Sequence, residues 1–208
     1  MIKNIISDIG NVLYEFNSDE FINKYIDEKD RKEFVENTFL NENWNLMDKG
    51  DLAFEDARKL FIQKNPKYEE MLNKLFDTSL TLCLNKNHNN ISLLKEYKDN
   101  GYDIYYLSNM PTETFEVLRK ETDFFDNTCK GGVISAHIKM IKPNKDIYEY
   151  FLNKFGLKAD ECLFIDDNIK NVASALELGI HAVQLQKIDD MEIILKDIVN
   201  DNYYYEFY

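Results

Sequence analysis

The stretch Ile5-Ile6-Ser7-Asp8-Ile9-Gly10-Asn11-Val12-Leu13 decides how the rest of the chain is read. Apolar, partly β-branched residues run up to a single carboxylate, and a glycine follows two residues later. Such a run predicts a buried strand of a parallel sheet. Asp8 then stands at the carboxyl end of that strand, where open α/β sheets hold their chemistry. Gly10 is read as permitting a sharp turn and as leaving its carbonyl free to face a ligand. Taken alone, Asp8 reads first as a turn or helix-cap aspartate. The segments further along the chain decide between the two.

The 208 residues allow one large domain, or a core with one insertion, and a 44% hydrophobic content is ample for a core. The net charge of -13 argues against nucleic acid and against an anionic membrane surface as partners. An anionic substrate would need a local cation to offset that field. Cys83, Cys129 and Cys162 have no metal or redox spacing and read as buried thiols of an intracellular protein. No stretch is long and apolar enough to span a bilayer, and the first residues carry no signal-peptide pattern. The cytoplasm is the expected compartment.

From Ser18 to about Leu84 the pattern is helical with little strand signal. Ser18 is read as a cap, with Asp19 and Glu20 in the first turn and Phe21, Ile22, Tyr25 and Ile26 at helical spacing. A second helix is expected over 31–40. A third carries Phe54, Ala57, Leu60 and Phe61 towards Pro66, and a fourth carries Met71, Leu72, Leu75 and Phe76. Asp48-Lys49-Gly50-Asp51 reads as a turn. Asp48 either only makes that turn or faces a site. These elements predict a small four-helix domain over 16–85, inserted after the first strand of a core formed by 1–15 and 86–208.

The remainder alternates. Helices are expected over 90–100, 113–121, 144–155, 169–178 and 188–199, and strands over 102–107, 133–138, 162–165 and 180–185. Alternation of this kind predicts an α/β fold, a Rossmann-like, doubly wound parallel sheet. The aromatic tail, Tyr203-Tyr204-Tyr205-Glu206-Phe207-Tyr208, either packs on the core or forms a contact between chains, so both a monomer and a homodimer are open.

Three strands end in polar residues: Asp8 on the first, Ser108-Asn109 on the next, Asp166-Asp167 on a third. In a parallel sheet these ends share one edge, so the side chains converge. Lys142, in the loop before a helix, reaches the same edge. Carboxylates around a point without cysteine or histidine suit a hard cation such as Mg²⁺. The lysine and the hydroxyl suit a phosphate. His88, His137 and His181 fall in no motif, and Trp44 and the aromatics near it read as core.

The four segments resemble those of the haloacid dehalogenase superfamily, most of whose members are phosphatases. Asp8-Ile9-Gly10-Asn11-Val12 is similar to its first motif, Ser108-Asn109 to its second, Lys142-Pro143 to its third and Phe164-Ile165-Asp166-Asp167-Asn168 to its fourth. The helical insertion falls where that family carries its cap, and the first motif looks closest to the sugar-phosphate phosphatases that act on glucose 1-phosphate. The resemblance implies that Asp8 is the nucleophile of an aspartyl-phosphate mechanism and a ligand of Mg²⁺. Gly10 would give a backbone carbonyl ligand and Asp167 a carboxylate, with Asp166 in or near the metal shell. Ser108 and Asn109 would hold phosphoryl oxygens, and Lys142 would stabilise charge on Asp8 and on the transferring group. Asn168 and Asn171 would orient the acidic loop. One departure stands out: most phosphatases of this superfamily carry a second aspartate two residues after the nucleophile, and here that position is Gly10.

The expectation is therefore a Mg²⁺-dependent phosphomonoesterase acting on a small phosphorylated metabolite, with a sugar phosphate first. A 2-haloacid dehalogenase and a non-catalytic regulator or binding protein of the same fold are the alternatives.

Overall fold

The structure, a computed structural model, describes residues 1–199. The aromatic run 203–208 lies outside the described residues. The strand expected from Ile5-Ile6-Ser7 is β1 (Asn4–Ser7), buried at every position. The chain then forms β2 (Tyr14–Phe16) and five helices, α1 (Ser18–Tyr25), α2 (Arg31–Asn37), α3 (Glu42–Lys49), α4 (Phe54–Lys64) and α5 (Glu69–Asp77). It returns through β3 (Leu84–Lys86) and then alternates: α6 (His88–Asp99), β4 (Asp103–Ser108), α7 (Thr112–Glu121), β5 (Gly131–Ile134), α8 (Ser135–Ile138) and α9 (Lys145–Phe155). β6 (Cys162–Asp166), α10 (Ile169–Glu177), β7 (His181–Gln184) and α11 (Met191–Val199) complete it.

The main sheet has the order β5-β4-β1-β6-β7, and every pairing in it is parallel. β1 is central, between β4 and β6. Alternation along the strands builds two separate apolar layers. Ile5, Ile104, Leu163 and Ile165 point into one, with Leu94, Phe115 and Leu195 of the covering helices. Ile6, Tyr105, Leu107 and Phe164 point into the other, with Ile147, Phe151 and Ala175. A strand covered on both faces has no polar side to show, which is why 5–6 and 162–165 read as unbroken apolar runs.

The inserted segment has an apolar cluster of its own, with Phe34, Ala57, Phe61, Leu72 and Leu75 fully buried in it. It holds five α-helices where the sequence reading expects four. The extra one is α3, capped by Asn41, whose side chain accepts from the Asn43 N–H, and ended by Gly50 in the left-handed conformation. Of its residues only Met47 is buried, so its apolar periodicity is too sparse to register. The expected turn at 48–51 is thus the end of a helix. Two further differences are local. Asn17 rather than Ser18 caps α1. The strand expected over 133–138 stops at Ile134, whose pairing with Ser108 is the last with β4 before the chain coils into α8.

The segment leaves and rejoins the core through β2 and β3, which pair antiparallel as a two-stranded ribbon. It also docks at one point on the core. The Ser135 hydroxyl of α8 donates to the Asp48 carbonyl of α3. Beside it, Gly50 has φ +80° and lies so close that an added Cβ would come 2.6 Å from the Ala136 carbonyl oxygen. Both the backbone conformation and the close approach demand glycine here. Gly50→Ala is expected to cost about 1–3 kcal/mol of stability, read from urea denaturation, because both constraints are broken together.

Candidate active site

The sheet edge collects the polar strand ends around one buried ion cluster. Asp8 follows β1 directly, with its backbone N–H donating to the Ile165 carbonyl at 2.9 Å. It lies two residues beyond Ile6, and Asp166 lies two beyond Phe164, so pleating turns both carboxylates towards the same layer. Lys142 enters that layer from the loop before α9, and the bond that follows it, Lys142–Pro143, is cis. Its ammonium is 3.0 Å from Asp8 Oδ2 and 2.6 Å from Asp166 Oδ2, and donates to the Leu107 carbonyl at 2.9 Å. Lys142 is 3% exposed and Asp166 0%. A buried charge is tolerated only when paired and hydrogen-bonded, and these groups meet that demand.

The partners around them do the fixing. Asp166 accepts from Asn171 Nδ2 at 2.9 and 3.1 Å and from the Asn168 N–H at 2.8 Å. Asn168 also caps α10, accepting from the Lys170 N–H. The Asn109 side chain clamps the Lys142 backbone from both sides, donating to its carbonyl and accepting from its N–H, each at 2.9 Å. Asp167, one residue past β6, turns the other way, accepts from Asn11 Nδ2 at 2.9 Å, and faces the cavity. Asn11 carries the left-handed backbone of this turn, with φ +53°. The strained position is therefore Asn11 rather than Gly10, because Asn tolerates that region better than other residues with a side chain. A Cβ added at Gly10 would meet nothing. Its lack of a side chain leaves open space rather than relieving a clash.

Above the cluster lies a cavity of about 200 Å³. Asp8, Gly10, Ser108, Asn109 and Asp167 form its floor, whereas Lys142 and Asp166 are buried behind Asp8. The far wall is made by Phe16, Trp44, Leu80 and Leu84, with Met110 at the side. Trp44 thus both packs against Phe39 and Phe61 and faces the cavity. Asp48 lines the same cavity from the last turn of α3, which settles the question its sequence position leaves open. Thr114 lines it too, with its hydroxyl buried and without a hydrogen-bond partner. The sequence gives no signal for Phe16, Leu80, Leu84 or Thr114, since each sits in an ordinary apolar or helical pattern.

Burial raises the Asp8 pKa. Lys142 pulls it back, Asp166 adds to the rise, Ser108 lowers it by hydrogen bonding and Asp167 raises it. The net direction is up. Burial also raises Asp167, against the hydrogen bond from Asn11. Lys142 is lowered by burial, but Asp8 and Asp166 outweigh this and leave it raised, so it stays an ammonium. Asp8, Asp166 and Asp167 each bring a carboxylate oxygen within 4.8 Å of the others. Three carboxylates and one ammonium leave two negative charges when all are ionised. The donors are all hard oxygens, a set that fits Mg²⁺.

The comparisons with known proteins agree on a family. A model described as haloacid dehalogenase-like hydrolase matches residues 2–179. A sesquiterpene phosphatase of Aspergillus oryzae is 29% identical over 187 residues, covering 88% of this chain and 89% of its own. A glyceraldehyde 3-phosphate phosphatase of Methanocaldococcus jannaschii is 27% identical over 222 residues, covering 92% of this chain and 89% of its own. Among solved structures, a family enzyme of Bacteroides thetaiotaomicron, in complex with magnesium and inorganic phosphate, is similar in fold. Its TM-score is 0.74 at 22% identity, over 88% of this chain and 94% of that one.

Two outcomes are expected from the ion cluster. Lys142→Met strands the buried charge of Asp166 and should cost about 3–5 kcal/mol in urea denaturation, with part regained when Asp166→Asn is added. A carboxyl whose pKa folding raises holds its proton more tightly in the folded chain. Its contribution is full below the ordinary carboxylate pKa and is lost as pH rises through the raised value. Without added metal, the melting temperature of Asp8→Asn relative to the unaltered chain should therefore climb between pH 5 and 8. Added Mg²⁺ should shrink that gap, most at pH 8.

Proposed function

Because the chain belongs to the haloacid dehalogenase-like hydrolase family, we propose that it is a phosphomonoesterase whose nucleophile is Asp8. One Asp8 oxygen attacks the phosphorus, the ester P–O bond breaks and the alcohol leaves. Water then attacks the phosphorus of the aspartyl-phosphate, and inorganic phosphate is released with the carboxylate restored. Lys142, held by Asp166, neutralises charge on Asp8 and on the transferring group. Ser108 and the Asn109 backbone line the floor where phosphoryl oxygens would sit. Asp8, Asp167 and the Gly10 carbonyl would hold Mg²⁺, with Asp166 close behind. Bound there, the ion supplies the positive charge that an acidic protein needs to accept a phosphate.

The observation that carries this reading is the surplus of negative charge beside the nucleophile. Asp8, Asp166 and Asp167 outnumber the one buried ammonium. A haloacid carboxylate would be repelled there unless a cation intervened, which argues against the dehalogenase alternative. A regulator without chemistry gains support only from Gly10. The three free cysteines, Cys83, Cys129 and Cys162, suit a reducing compartment and a cytoplasmic enzyme. No helix among the described residues is long and apolar enough to cross a membrane. The helices over 18–77 serve as a cap that reads the leaving group and keeps water from the site. The chain works as a monomer or homodimer.

The cavity favours one class of ester over the expected sugar phosphate. A sugar's hydroxyls need several free polar partners. Asn11 is committed to Asp167 and to the Phe16 N–H, and Asn109 to Lys142. Away from the phosphate floor, the polar side-chain groups left among the described residues are Asp48, Thr114 and the Trp44 indole N–H, among walls that are otherwise Phe16, Leu80, Leu84 and Met110. An apolar leaving group fits such walls, and the A. oryzae relative is by name a sesquiterpene phosphatase.

The test is phosphate release from isoprenyl, alkyl, nitrophenyl and sugar monophosphates, with Mg²⁺ and with EDTA, beside Asp8→Asn. Metal-dependent release is expected, abolished in the variant, with the apolar esters ahead of the sugars by about tenfold or more in kcat/KM. Sugars ahead would overturn the substrate class alone. No release from any ester by a folded, Mg²⁺-binding protein would overturn the phosphatase.

A further inference from the structure

We propose that Asp48 is the acid–base residue of this reaction, protonating the departing ester oxygen and later accepting a proton from the attacking water. The inference rests on the reading of Asp8 as the phosphorylated nucleophile. In the first step the Asp48 carboxyl proton passes to the leaving oxygen as the P–O ester bond breaks, giving the neutral alcohol and an Asp48 carboxylate. In the second, that carboxylate takes a proton from water as the water oxygen bonds to phosphorus. The P–O bond to Asp8 breaks, and the acid form of Asp48 is restored.

Four observations carry it. First, the core supplies no acid: the position two residues after Asp8 is Gly10, and it leaves open space. Second, Asp48 lines the same cavity as Asp8, from the wall where a leaving group must lie. Third, its carboxylate has no hydrogen-bond donor and no cation paired with it among the described residues, whereas the other carboxylates of the cavity are engaged. Asp8 is held by Lys142 and the Ile9 N–H, and Asp167 by Asn11. Fourth, Asp48 is fixed in place from behind by the Ser135 hydroxyl on its carbonyl and the tight seat of Gly50 against Ala136.

The charged and titratable groups around Asp48 leave it this role. Asp8 and Asp167 face it across the cavity, and Lys142 lies buried behind Asp8. Lys49 is paired with Asp51 at 2.6 Å, and on α8 the His137 ring packs against Phe115. Burial first, and the charge of Asp8 second, hold the Asp48 carboxyl well above the usual carboxylate range. The same proton is what a departing alkoxide requires. Ser108 and Thr114, the remaining hydroxyls of the cavity, are far too weakly acidic to serve.

A leaving-group comparison tests the assignment. An alkoxide needs a proton to depart, whereas nitrophenolate leaves without one. In Asp48→Asn, kcat/KM should fall by about 10²-fold or more for an alkyl monophosphate and far less for nitrophenyl phosphate. The variant should still bind beryllofluoride with Mg²⁺, which requires an intact fold and an intact Asp8. In the unaltered enzyme, kcat/KM over a series of phenyl and alkyl esters should depend only weakly on leaving-group pKa. This second measurement stands even if the variant does not fold. Equal losses for both esters, or a steep leaving-group dependence in the unaltered enzyme, would overturn the role of Asp48 and leave the phosphatase standing. Failure of the unaltered enzyme on both esters would overturn the phosphatase first.

Discussion

Everything at the site depends on one ammonium held between two carboxylates inside the protein. Lys142 sits between Asp8 and Asp166 with almost no access to water. Desolvating three charges is expensive, and Coulomb attraction offsets that cost only where the remaining lone pairs and protons are also satisfied. Here they are: Asn171 and the Asn168 N–H complete Asp166, the Leu107 carbonyl accepts a hydrogen bond from Lys142, and the Ile9 N–H completes Asp8. Asp166 is consumed in holding the lysine. Asp8 keeps one side turned to the cavity, so it alone among the pair is available for chemistry.

The sheet makes that arrangement possible. A strand covered on both faces must place every side chain in one of two layers, and Ile6 and Phe164 assign Asp8 and Asp166 to the same one. The next residue after Asp166 turns the opposite way, so adjacent carboxylates come to play different parts. Asp166 is structural and Asp167 lines the cavity. The core thus presents a rigid, negatively charged floor. The inserted helices meet it with an apolar wall, and a low-dielectric wall strengthens each electrostatic interaction below it.

Much of this was legible in the sequence because it rests on signals of short range. The double burial of 5–6 and 162–165, the Gly and Asn stops, and the polar ends of three strands all announce a wound parallel sheet with chemistry along one edge. The elements that escaped have weaker or less local signals. β2 and β3 are three residues each and lie far apart in the chain, so neither has enough length to show a period. α3 buries one side chain fully, so it reads as the approach to a turn. Gly10 is read as the strained residue of the turn, yet Asn11 bears the positive φ, because its amide gains two hydrogen bonds there that a glycine could not make. The apolar cavity wall is hidden for a different reason. Phe16, Trp44, Leu80 and Leu84 have the character of core residues, and only the docking of α3 on α8 leaves a space between them and Asp8.

That docking also brings a further carboxyl, Asp48, into the cavity that Gly10 leaves without one after Asp8. Placing two aspartates side by side on the loop after β1 would add a fourth carboxylate to a cluster already short of positive charge. Placing it on α3 moves it across the cavity, into an apolar wall where burial, and then the charge of Asp8, raise its pKa. Asp8, the proposed nucleophile, needs the opposite setting: Lys142 favours its ionised form, and a divalent ion there would do the same. The two carboxyls, with the opposed tasks proposed for them, are thus set in different surroundings, Asp8 against the Lys142 ammonium and Asp48 beside the apolar wall. The separation has a structural consequence: the proton transfer proposed for Asp48 requires the inserted helices to be seated on the core. The contact of Gly50 with Ala136, which seats α3 on α8, therefore sets where Asp48 stands relative to Asp8.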